Sequence, residues 1–350
     1  MFKNDESILW VHFIRVIATF FVIMVHTCSS TINGYNDLPI ADWWIGNVYA
    51  STVRPCVPLF FLLTGYLLLN KDESIKKFFI KRTSKVIFPL FVWSLLYILW
   101  HVFYSNKLLE LDSLVVFFLA PAHFHLWFLY AIIGLYLYMP ILRVFVKNAS
   151  QDLMYYFVIL WFIAVAVIPF FEKLVLTPSK IDLKMISGFV GYLVLGYLIG
   201  KYKVNRKYFI LAVFVAITMI IITVMGTYLL TIRGGGELNK YFFGYLTPNV
   251  IFMSVSFFVI LKYLSDRHIL INNKKINFII QKMSSASFGI YLIHIMVLDV
   301  LYNGALGFSL KPEFFSVIFS IPLTAISIYF LSFFMVLFLK RIPWVCKIVP

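Results

Sequence analysis

Arg15 and His26 stand in one apolar stretch, residues 8–27 (ILWVHFIRVIATFFVIMVHT), together with His12. Ionisable groups at membrane depth cost several kcal/mol unless they face a protein interior or a watery cavity. Eleven helical steps turn through about three revolutions and advance roughly 16 Å, so the two side chains share a face at different depths. A neutral imidazole there can take a proton from a hydroxyl, and a guanidinium can hold an anion or stabilise a developing oxyanion. The pair suits gripping the charged end of a long ligand and doing chemistry at its tip. Each residue also has a plainer reading. His26 can bond a carbonyl at the interface, and Arg15 can reach the inner headgroups.

Further candidates flank other apolar runs. Arg54 precedes Pro55, and His123 and His125 stand in AHFHLWFLY. His123 reads more simply as an interfacial histidine, and Arg54 as a helix-end anchor. KKFFIKRTSK (residues 76–85) interleaves basic and apolar residues, with Lys81, Arg82 and Lys85 at spacings that gather them on one side of a helix. That cluster suits a phosphate, although attraction to anionic lipid also accounts for it. His123 and His125 have no cysteine or carboxylate at ligand spacing, so no metal site is expected. Asp299 reads as the cap of a helix end.

The elements that must position these residues follow from composition. Of 350 residues 62% are hydrophobic and 13% charged, and the mean hydropathy is +0.93. A soluble chain carries nearly twice that charge. The apolar runs are about 20 residues long without period-two alternation, which indicates an all-α polytopic bundle rather than a barrel. Three cysteines make no disulfide scaffold. Cys28 and Cys56 both fall near the outer surface, where a bridge between them is open, and they read more simply as two shielded, unpaired thiols. The first helix lacks a small-residue cleavage site and is expected to be retained.

Hydropathy places about ten spans, at 8–28, 48–69, 84–104, 124–145, 153–171, 185–200, 208–230, 244–264, 285–302 and 314–339. Twenty-one basic residues fall at the termini and in alternate loops, and seven, including Lys107, Lys180 and Lys184, in the others. The positive-inside rule then puts both termini in the cytoplasm. The net charge of +15 is thus a topology signal, not a nucleic-acid footprint. Gly234-Gly235-Gly236 reads as an outer turn. No loop is long enough for a separate domain, so residues 1–350 form one integral-membrane unit. His26, Arg54 and His125 come to the outer end and Arg15 to the inner half. A neutral imidazole in that cluster can act as a base on a hydroxyl, with a nearby guanidinium to stabilise a developing oxyanion.

At this point the chain resembles the acyltransferase-3 membrane family. RVIATFFVIMVH carries its arginine–histidine signature, and RPCVPLFFLLTGYLLL (54–69) is similar to its second-span segment, with Thr64 for the usual serine. KRTSKVIFP (81–89) resembles its RxxR motif with Lys85 in place of arginine, while HLWFLYAIIGLYLYMPIL (125–142) and SFGIYLIH (287–294) complete the match. The chain is most similar to the short O-acetyltransferases without an esterase-like domain, such as those acting on enterobacterial common antigen.

The resemblance implies transfer of an acetyl, less often another acyl, group from cytoplasmic acyl-CoA to a hydroxyl of a surface or lipid-linked glycan. The setting it implies is the bacterial inner membrane. It makes His26 the catalytic histidine, either deprotonating the acceptor hydroxyl or carrying the acetyl transiently, and Arg15 an aid to acyl-CoA, with Arg82 and Lys85 engaging its phosphates and Arg54 and His125 orienting the acceptor or polarising the thioester. Lys85 keeps the charge but loses the bidentate fork. Acetyl-CoA is therefore the expected co-substrate, with membrane lipid and a glycan acceptor as partners. A glycan transporter or flippase is the competing reading, since intramembrane His and Arg also suit substrate passage. A sensor or scaffold leaves the five matching segments unexplained.

Overall fold

The computed structural model describes residues 9–104, 120–175, 178–179, 183, 188–267, 273–305, 307–311 and 316–350. Its helices are α1 (Leu9–Thr27), α2 (Ser29–Asn33), α3 (Ile40–Thr52), α4 (Cys56–Leu68), α5 (Ile75–Arg82), α6 (Phe88–Tyr104) and α7 (Trp127–Asn148). They continue as α8 (Gln151–Phe162), α9 (Ile168–Val175), α10 (Val190–Lys201), α11 (Arg206–Arg233), α12 (Pro248–Asp266), α13 (Lys274–Tyr302) and α14 (Val317–Leu339). There is no strand among the described residues. π-Helical turns at Thr83–Ile87 and Ile163–Val167 run α5 into α6 and α8 into α9.

Nine helical segments among the described residues are long and apolar enough to cross a membrane. The tenth expected span, 185–200, is represented by α10, whose twelve residues cover about 18 Å of a hydrocarbon core of about 30 Å. The start of that stretch lies outside the described residues, as do Lys3, Lys107, Lys180 and Lys184. The second span is two helices, α3 and α4, separated at Val53, Arg54 and Pro55. Pro55 has no N–H for the helical ladder and constrains the residue before it, so the chain breaks where Arg54 stands.

α1 is the hub, packed against α13, α4, α14, α12 and α3. Lipid-facing surfaces lie outside it. Phe214 on α11 and Phe319 and Phe338 on α14 are exposed, as expected of helices apolar on every side. Inside, polar side chains link helices, a common device where apolar contact alone does not separate protein from lipid. Asn249 on α12 donates to Thr223 on α11 (2.8 Å), and Asn47 on α3 to the Val224 carbonyl (3.0 Å).

α4 and α10 pack with their backbones in contact. A Cβ on Gly65 would sit 1.9 Å from the Leu193 carbonyl oxygen, and one on Gly196 1.9 Å from that of Leu62. This reciprocal i to i−3 relation pairs Gly65 with Gly196 across two backbones in contact, the small-residue packing of membrane helices. Phe61 beside Tyr192 and Tyr66 beside Gly200 show that the two helices run in the same direction. The C-terminus of α10 is closed by buried Lys262, whose ammonium donates to the carbonyls of Ile199, Gly200 and Tyr202 at 3.3, 2.5 and 2.7 Å. A cation on the last carbonyls opposes the helix dipole.

All three cysteines are free thiols, Cys28 and Cys56 buried. Gly235 and Gly236 have φ of +73° and +92°, which makes 234–236 a turn. Asp299 differs from the expected cap. Its carboxylate accepts from Trp100 Nε1 (3.1 Å) and its carbonyl from the Tyr104 hydroxyl (3.3 Å), tying α13 to α6.

Candidate active site

Two clusters lie at opposite ends of α1, and α13 connects them. At one end Arg15 Nη1 donates to Ser284 Oγ at 3.3 Å, with His12 Nδ1 2.9 Å from the same oxygen. At the other, the His26 and His294 rings are 5.3 Å apart. Arg15 and His26 are eleven residues apart, Ser284 and His294 ten, so α1 and α13 run side by side in one direction with matched polar positions. The Tyr302 hydroxyl, donating to the Thr27 carbonyl at 3.1 Å, ties their ends.

The cluster around His26 draws on four elements. A 3-10 turn, Phe124–Leu126, leads into α7 and turns His125 inward. The Tyr291 hydroxyl on α13 donates to the His125 carbonyl. His125 and His123 share a hydrogen bond between their Nδ1 atoms (2.9 Å). The His294 ring lies 5.3 Å from that of His125 and is wholly buried. Arg54 donates from Nε to the Ala50 carbonyl (3.1 Å), stacks on Phe243 at 4.0 Å and lies within electrostatic reach of His26. A cavity of about 30 Å³ lies among His26, His125, Cys56, Trp127, Tyr245 and Tyr291. It accommodates a water-sized group. Among the described residues no three His, Cys, Asp or Glu side chains are placed to hold a metal ion.

The other cluster is cationic. Tyr136 on α7 is within electrostatic reach of both Arg15 and Arg82. Arg82 lies 5.5 Å from the Tyr136 ring and 5.3 Å from Phe78, and Arg143 covers Phe78 at 4.6 Å. Glu73 bridges Arg143 (3.0 Å) and Lys81 (3.1 Å). Beside it is a cavity of about 820 Å³ bordered by Lys71, Glu73, Arg143, Lys147 and Lys201. Burial raises the Glu73 carboxyl, but the hydrogen bonds and charges of Arg143 and Lys81 outweigh it and hold it below its usual value. Burial, followed by nearby Arg82, lowers the Lys71 ammonium, with Glu73 acting the other way. This crowding of positive charge is relieved by an anion.

The structure thus brings His26, Arg54 and His125 together at one end, and Arg15 and Arg82 at the other. Lys85 lies on the chain between Arg82 and α6. It is exposed in the π-helical turn, without a hydrogen bond, ion pair or ring contact among the described residues. His123 is buried against His125 rather than standing at the interface. Sequence reasoning gave no role to His294, Tyr291, Tyr136, Arg143 or Glu73. The first two stood within SFGIYLIH, three residues apart and so on one helix face, which was the available signal.

With this geometry in place, comparison with known proteins is informative at one level. Residues 8–340 match a family model described as an acyltransferase domain. No curated protein and no solved structure matches the chain. Because the match spans nearly the whole chain, the protein belongs to the acyltransferase-3 family of membrane acyltransferases.

Proposed function

We propose that this chain is a bacterial inner-membrane O-acetyltransferase, moving an acetyl group from cytoplasmic acetyl-CoA to a hydroxyl of a surface or lipid-linked glycan. The observation that carries the reading is the polar alignment of α1 with α13, which joins a cationic cluster at Arg15 to a histidine cluster at His26 about 16 Å away. A donor with phosphates at one end and a thioester at the other matches that separation, the pantetheine arm of coenzyme A being of this length class.

In this reading both termini are cytoplasmic, as the positive-inside rule indicates. Arg82 and Arg15, with Lys85 exposed at the rim, hold the phosphates beside the large cationic cavity. The thioester reaches the small cavity, whose volume of about 30 Å³ favours a short acyl group over a long one. His26 takes the acceptor's hydroxyl proton as the oxygen attacks the thioester carbonyl. Arg54 stabilises the oxyanion of the tetrahedral intermediate. The C–S bond then breaks, and the thiolate recovers the proton from His26. The motif resemblance to O-acetyltransferases that act on enterobacterial common antigen favours a lipid-linked acceptor.

The test is acetyl transfer from radiolabelled acetyl-CoA into the glycan and lipid fractions of membranes containing the protein. Wild type labels an acceptor and His26→Gln does not. Labelling by His26→Gln at the wild-type rate contradicts the mechanism. Glycan movement without acetyl-CoA replaces it with transport.

A further inference from the structure

His294 is a polar group beside His26 that the mechanism above leaves unused, and its hydrogen bonding restricts what it can do. Its Nδ1 lies 2.7 Å from the Tyr291 carbonyl. A carbonyl oxygen only accepts, so Nδ1 carries the proton and, in the neutral ring, Nε2 presents a lone pair. That Nε2 is buried without a hydrogen-bond partner among the described residues. Leaving a buried acceptor unmet costs about 1–3 kcal/mol, and such atoms in native folds call for a functional explanation. The neighbours are imidazoles, His26 and His125, each with its ring centre 5.3 Å away. The structure supplies its own calibration. His123 and His125, joined nitrogen to nitrogen at 2.9 Å, have ring centres 5.0 Å apart. Ring centres 5.3 Å apart thus put His26 and His294 close to the separation of hydrogen-bonded imidazoles, and rotation of the His26 ring would bring one of its nitrogens toward His294 Nε2.

We propose that His294 is the positioning residue of the acyl-transfer centre: its Nε2 accepts a hydrogen bond from His26, fixing the tautomer in which the other nitrogen of His26 is free to take the acceptor's proton. The inference rests on the acetyltransferase reading and deepens it. The Tyr291 carbonyl orients His294, which orients His26, a relay of hydrogen bonds with the logic by which a carboxylate sets the histidine of a hydrolase triad. No net proton is gained or lost. The hydroxyl proton passes to His26 as the C–O bond forms, and from His26 to sulfur as the C–S bond breaks. His294 stabilises the transient imidazolium without changing its own protonation. The charged and titratable groups facing the pair are Arg54, His123, His125 and Tyr291.

The experiment follows CoA release from acetyl-CoA by the purified protein in vesicles, with water standing in for the acceptor hydroxyl, alongside transfer to membrane acceptors. His294→Ala lowers kcat about 100-fold, the scale of a general-base contribution, with KM for acetyl-CoA within twofold of wild type. Losing the acceptor makes His26 less basic, so the acid limb of the kcat/KM profile moves to lower pH. His294→Gln, which retains an acceptor oxygen, recovers part of the rate and holds the limb in place. A folded His294→Ala with wild-type kcat overturns the proposal. So do equal losses in both variants with an unmoved limb, which mark a packing role. An independent readout needs no folded alanine variant. In ¹⁵N NMR of histidine-labelled wild type, assigned with His294→Gln, the His294 Nε2 is unprotonated and hydrogen-bonded, and a protonated Nε2 refutes the proposal. A wild type with neither hydrolysis nor transfer removes the acetyltransferase reading itself.

Discussion

Gly65→Ala is a one-carbon change whose consequence can be worked out from the packing of α4 on α10. The new Cβ would lie 1.9 Å from the Leu193 carbonyl oxygen, whereas ordinary contact begins at 3.4 Å, so the backbones must part by about 1.5 Å. The obstacle is backbone, and no rotamer change relieves it. Overpacking of this kind costs about 1–3 kcal/mol. Separation also weakens the close Cα–H···O contacts of Gly65 and Gly196, worth about 0.5–1 kcal/mol each, and the total is about 2–5 kcal/mol. The control is Gly134→Ala on α7, where a Cβ meets nothing within 4 Å; it should stabilise by about 0.5–1 kcal/mol through lower backbone entropy. Thermal unfolding in detergent, read by tryptophan fluorescence, should place Gly65→Ala well below wild type and Gly134→Ala at or slightly above it. Because α4 carries Cys56 and Val57 into the cavity beside His26, acyl transfer should fall with the first variant and not the second. Adding Gly196→Ala to Gly65→Ala should cost less than the single effects combined, since one parting of the helices serves both. A Gly65→Ala protein that melts and turns over like wild type refutes the packing argument.

Other consequences are open to test. Glu73→Gln removes the partner of Arg143 and Lys81. Because its folded pKa is depressed, the stabilisation is full above the ordinary carboxylate range and lost as pH falls through the depressed value. The variant should therefore melt below wild type at pH 7, by about 1.5–3 kcal/mol for a charged hydrogen bond to the well-buried Arg143, and the gap should close in acid. Half-exposed Lys81 should add little. Lys262→Met leaves the last carbonyls of α10 without their donor and should cost about 1–3 kcal/mol, seen as faster amide exchange at the end of α10. Arg54→Ala should lower acetyl transfer by about 10²–10³-fold while leaving acetyl-CoA binding unchanged, and equal weakening of both would move Arg54 into donor binding.

How much of this was legible in the sequence varies with the range of the interaction. The helical class and most spans follow from hydropathy, because lipid demands internally bonded helices. The sharing of one face by Arg15 and His26 follows from helical period alone. Three features depended on tertiary detail. α10 packs backbone to backbone on α4 through Gly65 and Gly196, which no single segment reveals. His294 had the motif but no assigned purpose, since its relation to His26 depends on the parallel register of α1 and α13. The Glu73–Arg143 pair spans 70 residues between loop and helix and left no local trace.

The central claim is that a cationic site at Arg15 and Arg82 holds the donor while His26 does the chemistry at the other end of α1. Calorimetric titration of acetyl-CoA into the purified, detergent-solubilised protein tests it without knowledge of the acceptor. Saturable binding to wild type and His26→Gln alike, weakened at least tenfold in Arg15→Ala and in the Arg82→Ala, Lys85→Ala pair, is the predicted result. Absence of binding by folded wild type, or binding indifferent to these cations, would contradict it.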